Sequence, residues 1–229
     1  MAGTLLAADS APKDDVTAAA KKLADSSYSW KQTVDLGPNS PFTPGPTEGK
    51  TEKGGYTWLS STFQDNTSIG LIKDKKVAIK TDEGWKSAEE VGDGAGGFDP
   101  NVFMVRRLQG VKTPADDIQE IVSKTSELKK DGDVISGDLT KEGAESLLTF
   151  GFGRRGNGGG NRPAPKDAKG SVKIWLKDGA VSKYETKVSG KTTNRDGDEM
   201  NMERTTTIEI KDVGNTKIEV PDDAKKKLS

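Results

Sequence analysis

The stretch whose spacing suggests a phosphate cradle is Gly151-Phe152-Gly153-Arg154-Arg155-Gly156, a G-x-G-x-x-G run. Such a run holds a dinucleotide when a strand precedes it and a helix follows, so that phosphate meets the helix N-terminus. Here a helix is expected before the run, and Asn157 to Pro165 cannot form one after it. The run is therefore read as a flexible glycine loop whose two arginines could meet an anionic group. Asp131-Gly132-Asp133 and Asn194-Arg195-Asp196-Gly197-Asp198-Glu199 faintly resemble calcium loops. Neither has the glycine at position six and the glutamate at twelve that an EF-hand requires. Both fall where hairpin turns are expected, which is a sufficient reason for Asp and Gly to be there.

With 36 Asp and Glu, a two-carboxylate hydrolase is open on residue type alone. Nearly all of these carboxylates fall in expected turns, caps or exposed strand faces, where a solvated surface explains them. Histidine and cysteine are both absent. Their absence excludes a Ser–His–Asp triad, a Cys–His dyad, a His-ligated metal, a thiolate zinc site and any disulfide. No catalytic residue, metal ligand or cofactor is assigned, and the chain is read as a non-enzyme. Its 35 Lys and Arg leave a net charge of −1, too little to gather nucleic acid. No run approaches the roughly 20 apolar residues of a membrane-spanning helix.

The remaining chemistry is apolar. Trp30, Trp58, Trp85 and Trp175 all lie on or beside expected strands. Core filling is the simpler explanation for them. The functional one is an apolar cavity on the inner face of a curved sheet, plugged by helices that keep water out. The candidate lining is Trp30, Val34, Trp58, Leu71 and Trp175 from strands, with Phe103, Met104, Leu108 and Ile121 from helices. Met and Phe together suit an adaptable apolar surface.

These side chains require elements to hold them. A first helix is expected from Asp14 or Asp15, with Val16, Ala20 and Leu23 on one face. Residues 29–36 alternate, with Trp30, Val34 and Leu36 pointing one way. Residues 37–55 carry Pro38, Pro41, Pro44 and Pro46 and read as a long loop without a central strand. Strands follow near 56–63, 67–73 and 76–80, and Gly92 to Gly97 reads as a second loop. Asp99-Pro100 and Thr113-Pro114 start two helices. A short strand at Val134-Ile135 comes next, then a helix capped by Thr140 that ends at Gly151. Gly153 to Lys169 reads as a third loop. The chain closes as a β-meander: 171–177, 180–189, 200–212 and a last strand at Ile218-Glu219-Val220. Asp178-Gly179 makes one of its hairpin turns. Strands first, helices in the middle and strands last give an α+β fold with an antiparallel sheet.

Ser171-Val172-Lys173-Ile174-Trp175-Leu176-Lys177-Asp178-Gly179 resembles the "v-x-i-W-l-d" strand of the periplasmic lipoprotein-carrier superfamily. That superfamily includes the outer-membrane lipoprotein-sorting carrier and the mycobacterial lipid-binding lipoproteins. Val181–Val188, Thr205–Ile210 and Ile218-Glu219-Val220-Pro221 are similar to its ending. Lys73–Lys80 with Gly84-Trp85 is similar to its central hairpin. The resemblance implies a curved antiparallel sheet forming an unclosed β-barrel with helices on its concave side. It also implies export to the periplasm or beyond, and binding of a lipid or a lipoprotein acyl chain. Prolines at 37–55 and glycines at 151–165 depart from the pattern as insertions. The family's cavity-facing arginine has four candidate counterparts, Arg106, Arg107, Arg154 and Arg155.

Residues 1–13 read as a signal-peptide remnant or a disordered N-terminus, and 14–229 as a single domain. The expected function is an exported, monomeric binding protein that holds a hydrophobic small molecule, a lipid or a lipoprotein. The alternative is an envelope scaffold with a filled core and no ligand.

Overall fold

A computed structural model describes residues 11–38, 40, 43–63, 66–92, 99–150, 164–193 and 198–229. Residues 1–10 of the proposed leader remnant, most of the second loop, the G-x-G-x-x-G run and Asn194–Gly197 lie outside the described residues, whereas Pro12 and Lys13 of that remnant already belong to the first helix.

One antiparallel sheet of eleven strands organises the chain, and its two edge strands do not meet. Helix α1 (Pro12–Ala24) precedes strand β1 (Tyr28–Asp35). Then come β2 (Thr47–Thr51), β3 (Thr57–Phe63), β4 (Asn66–Lys73), β5 (Lys76–Thr81) and β6 (Gly84–Ser87), each paired to the one before. The middle of the chain holds α2 (Ala88–Val91), α3 (Pro100–Gln109) and α4 (Pro114–Ser123). The short strands β7 (Lys129–Asp131) and β8 (Val134–Asp138) and helix α5 (Lys141–Phe150) follow. The meander is β9 (Lys166–Lys177), β10 (Ala180–Thr193) and β11 (Glu199–Lys211), and α6 (Asp222–Lys227) ends it. Strand β11 pairs with β1, which joins the two halves into the order β6-β5-β4-β3-β2-β1-β11-β10-β9-β8-β7.

Local chemistry sets these boundaries. Asp99 and Thr113 cap α3 and α4 by accepting from the Asn101 and Asp116 backbone N–H groups, and a proline follows each cap. Asp74 and Lys75 take positive φ in the β4–β5 turn, as do Asp178 and Gly179 between β9 and β10. That geometry matches the twist of a two-residue hairpin. Asp131-Gly132-Asp133 is the turn between β7 and β8, with Gly132 at φ 58°.

Three expectations need correction. The stretch read as a loop over 37–55 contains β2, an interior strand paired on both sides. Pro46 stands just outside it, where it removes no ladder hydrogen bond, and its carbonyl accepts from the Thr62 N–H. The buried side of β2 is Thr47, Gly49 and Thr51, so no apolar alternation marks it. Strand β9 begins at Lys166, inside the expected third loop. Ile218-Glu219-Val220 is not a strand. It crosses the outer face of the sheet, and the Ile218 N–H donates to the Glu52 side chain at 2.7 Å.

Helices α1, α3, α4 and α5 share one face of the sheet and with it enclose the main core. Helix α3 packs on β4 and β5, whereas α5 packs on β9 and β10. The opposite face carries a smaller cluster, in which Ala224 and Leu228 of the C-terminal segment cover Leu71 and Ala78.

Candidate functional site

The inner wall can be followed across the sheet by register. Ser61, Thr47, Gln32, Ile208, Tyr184 and Ile174 stand side by side on β3, β2, β1, β11, β10 and β9. Two residues further along β1 the row is Val34, Thr206, Thr186 and Val172. On the other side of the first row lie Trp30 and Ile210. The Trp30–Ile210 end is sealed, with both residues buried. Toward the opposite end Gln32, Val34, Thr206, Arg204 and Met202 are only half-buried. The wall thus grades from apolar and closed to mixed and partly open.

At the closed end two glycines let large side chains lie against the strands. The indole of Trp30 crosses Gly49, where an added Cβ would sit 2.1 Å from its Cζ2 atom. Leu108 of α3 lies on Gly70, where the corresponding distance to its Cδ1 is 2.2 Å. Tyr28 leans on Trp30 with ring centroids 5.7 Å apart, and its hydroxyl accepts from the Ala115 N–H at 3.4 Å.

Polar groups are set into this wall. The Tyr184 hydroxyl donates to Asp117 Oδ2 at 2.8 Å. Burial pushes the Asp117 carboxyl above its ordinary range, against the pull of that hydrogen bond and of Lys112. Burial, and then the charge of Asp117, raise the Tyr184 phenol well above its usual value. Arg204 donates to the Leu147 carbonyl in the last turn of α5, one of the carbonyls a helix end leaves without a partner. Arg107, in the last turn of α3, donates to the hydroxyls of Ser61 (2.6 Å) and Thr47, both buried. Burial lowers the Arg107 pKa, and among the described residues no carboxylate offsets that effect.

The residues expected to line a cavity fall into three groups. Trp30, Met104, Leu108 and Ile121 are buried in the core between sheet and helices, and Val34 follows on the same wall, half-buried. Trp58 and Leu71 belong to the outer cluster with Trp85. Trp175 alternates with the inward Ile174, and the Lys183 ammonium lies 4.8 Å from its ring centre. Phe103 is 56% exposed. Only Trp30 of the four tryptophans therefore stands on the helix-covered wall.

The sequence reading missed Thr47, Ser61, Asp117, Tyr184 and Arg204. A usable signal existed for Arg204, which shares its alternation with Met202, Ile208 and Ile210. Arg107 likewise sits three residues after Met104 and next to Leu108, on the helix stripe that faces inward.

A concavity of about 400 Å³ opens where β1, β9, β10 and β11 end, lined in part by Leu36, Gly37, Lys169, Gly190, Met202 and Glu203. Among the described residues no group of three or more Asp or Glu gathers as a metal site, and no helix is long and apolar enough to cross a membrane.

The fold is thus an unclosed antiparallel barrel with helices laid on its concave side. Three solved structures similar to it each score below 0.5 in TM-score. The chain is similar to the LppX lipoprotein of Mycobacterium tuberculosis, with a TM-score of 0.49 and 10% identity over 92% of this chain and 98% of that one. It is also similar to LprF from Mycobacterium bovis, with 0.46 and 12% over 92% and 96%. A LolA superfamily protein from Nitrosomonas europaea gives 0.33 and 8% over 93% and 96%. No protein-family model and no curated protein sequence matches the chain.

Proposed function

We propose that this chain is an exported, non-catalytic and monomeric carrier. It would hold a lipid, a lipoprotein acyl chain or another hydrophobic ligand between its sheet and its helices. The observation that carries the reading is the graded inner wall. Helices α3 and α5 lie on opposite arms of the sheet. Between those arms Val34 and Met202 are left half-buried beside a sealed apolar floor of Trp30, Ile208 and Ile210. Apolar surface that the protein leaves partly uncovered favours an apolar ligand by about 0.8 kcal/mol per methylene buried. The chemistry of the chain agrees, since it has no histidine or cysteine to serve a Ser–His–Asp or thiol mechanism.

The experiment is native mass spectrometry of the purified chain, followed by titration with a fluorescent fatty acid after delipidation. The reading expects retained lipid or saturable uptake at one site. Neither lipid nor uptake would refute it. The close fit of Trp30 on Gly49 and of Leu108 on Gly70 favours a second reading, an envelope scaffold with a filled core. That reading expects no uptake and an unchanged thermal midpoint with lipid.

A further inference from the structure

Arg107 differs from the other half-buried arginine of the inner wall. Arg204 donates to a helix-end carbonyl and feels the charge of Asp117. Arg107 meets only two neutral hydroxyls, and among the described residues no carboxylate pairs with it. A partly desolvated cation without a counter-charge is costly unless something anionic completes it. A guanidinium has five N–H donors in a planar fork. Two N–H groups of Arg107 are engaged by Ser61 and Thr47, which leaves enough for a bidentate oxyanion. The two hydroxyls accept from the guanidinium and share one hydrogen bond at 3.5 Å, so one of them keeps a proton to donate. Their strands are fixed, Thr47 pairing with Ser61 on β3 and with Gln32 on β1, so the fork is held in place. The half-buried Val34 lies one inner position beyond Gln32 on the same wall.

We propose that Arg107, Thr47 and Ser61 form an anion site that takes the oxyacid headgroup, carboxylate or phosphate, of an amphipathic lipid whose chain lies along the inner wall. This rests on the lipid-carrier reading and names the class of ligand. The guanidinium meets the two oxygens, and the hydroxyls orient it and complete the shell.

The test is equilibrium binding of radiolabelled palmitate, hexadecyl phosphate and hexadecanol to the full delipidated chain. Three forms are compared: the original sequence, Arg107→Gln, and the Thr47→Val/Ser61→Ala double variant, with the thermal midpoint of each recorded. The original chain is expected to bind at least one of the anions about 10- to 100-fold more tightly than hexadecanol. Arg107→Gln should abolish that preference by weakening the anions far more than hexadecanol. The double variant should weaken anion binding several-fold, and it decides the matter if Arg107→Gln does not fold. The tighter of palmitate and hexadecyl phosphate distinguishes a carboxylate from a phosphate headgroup. Equal binding of alcohol and anions would overturn the headgroup site while leaving the carrier reading intact. So would an anion preference that survives in both variants. Binding of none of the three would overturn the site and the carrier reading together.

Discussion

Replacing Gly49 with alanine tests whether the inner wall is as closely fitted as its geometry implies. The added Cβ would sit 2.1 Å from Trp30 Cζ2, 2.2 Å from Cε2 and 2.5 Å from Cη2. Carbon atoms rest at about 3.5–4.0 Å, so the indole must retreat by about 1.4 Å or more. It has little room, being 5% exposed and braced by Tyr28. Overpacking of this kind costs about 1–3 kcal/mol. Alanine also restricts the unfolded chain, which returns about 0.4–1 kcal/mol. With about 2 kcal/mol for the overpacking, the middle of its range, the net expectation is a loss of about 1–1.6 kcal/mol. For a chain of this size, at about 2–4 °C per kcal/mol, that lowers the thermal midpoint by roughly 2–6 °C. Urea unfolding followed by circular dichroism measures the loss. A double-mutant cycle assigns it: with Trp30→Leu the ring is gone, and Gly49→Ala should cost less than about 0.5 kcal/mol or stabilise. Equal cost in both backgrounds, or none in the original, would refute the close approach.

Other perturbations separate the two faces and the polar insets. Leu108→Ala should destabilise by about 2–5 kcal/mol, because the side chain is fully buried against Gly70, whereas Phe103→Ser, on the exposed side of the same helix, should cost clearly less; equal losses in urea unfolding would contradict the orientation of α3. Burial holds Asp117 above the usual carboxylate range, so the folded protein keeps a proton that the unfolded chain has released. Stability then falls as pH rises from the unfolded carboxylate value, about 3.9, through the raised folded one. Asp117→Asn removes that loss, and its stability relative to the original should improve as pH rises from about 4 through the raised folded value; urea midpoints that move the other way would contradict it. Truncation after Pro221 removes Ala224 and Leu228 from the outer cluster and should red-shift the fluorescence of Trp58 and Trp85. It should also cost at least about 1.5 kcal/mol, the low end for burying one leucine.

Much of the architecture was legible because its elements announce themselves chemically. Pro after a capping Asp or Thr started α3 and α4 where expected, and Asp178-Gly179 placed the β9–β10 turn. Strand β2 was not legible, since an interior strand normally reveals itself by buried apolar residues and this one buries two threonines and a glycine. Its identity depends on Trp30, a residue outside the segment, which fills the space above Gly49. The face of the tryptophans was misjudged for a related reason. Adjacent apolar residues such as Trp58-Leu59 and Leu71-Ile72 signal a strand covered on both sides. The second cover is the segment after β11, whose Ile218 and Val220 look like a strand but serve as a lid on the outer face. The inward burial of Met104, Leu108 and Ile121 followed from their periodicity. The Arg107–Thr47–Ser61 contact did not, because it joins segments far apart in the chain.

The central claim is that a lipid chain lies on the concave wall, between α3 and α5. A fatty acid with a photoreactive diazirine near its terminal carbon, crosslinked to the full chain and mapped by peptide mass spectrometry, tests it most directly. The account predicts adducts on inner-wall residues such as Val34, Met104, Leu147 and Met202. Adducts confined to the outer residues Trp58, Trp85 and Trp175, or none at saturating ligand, would contradict it.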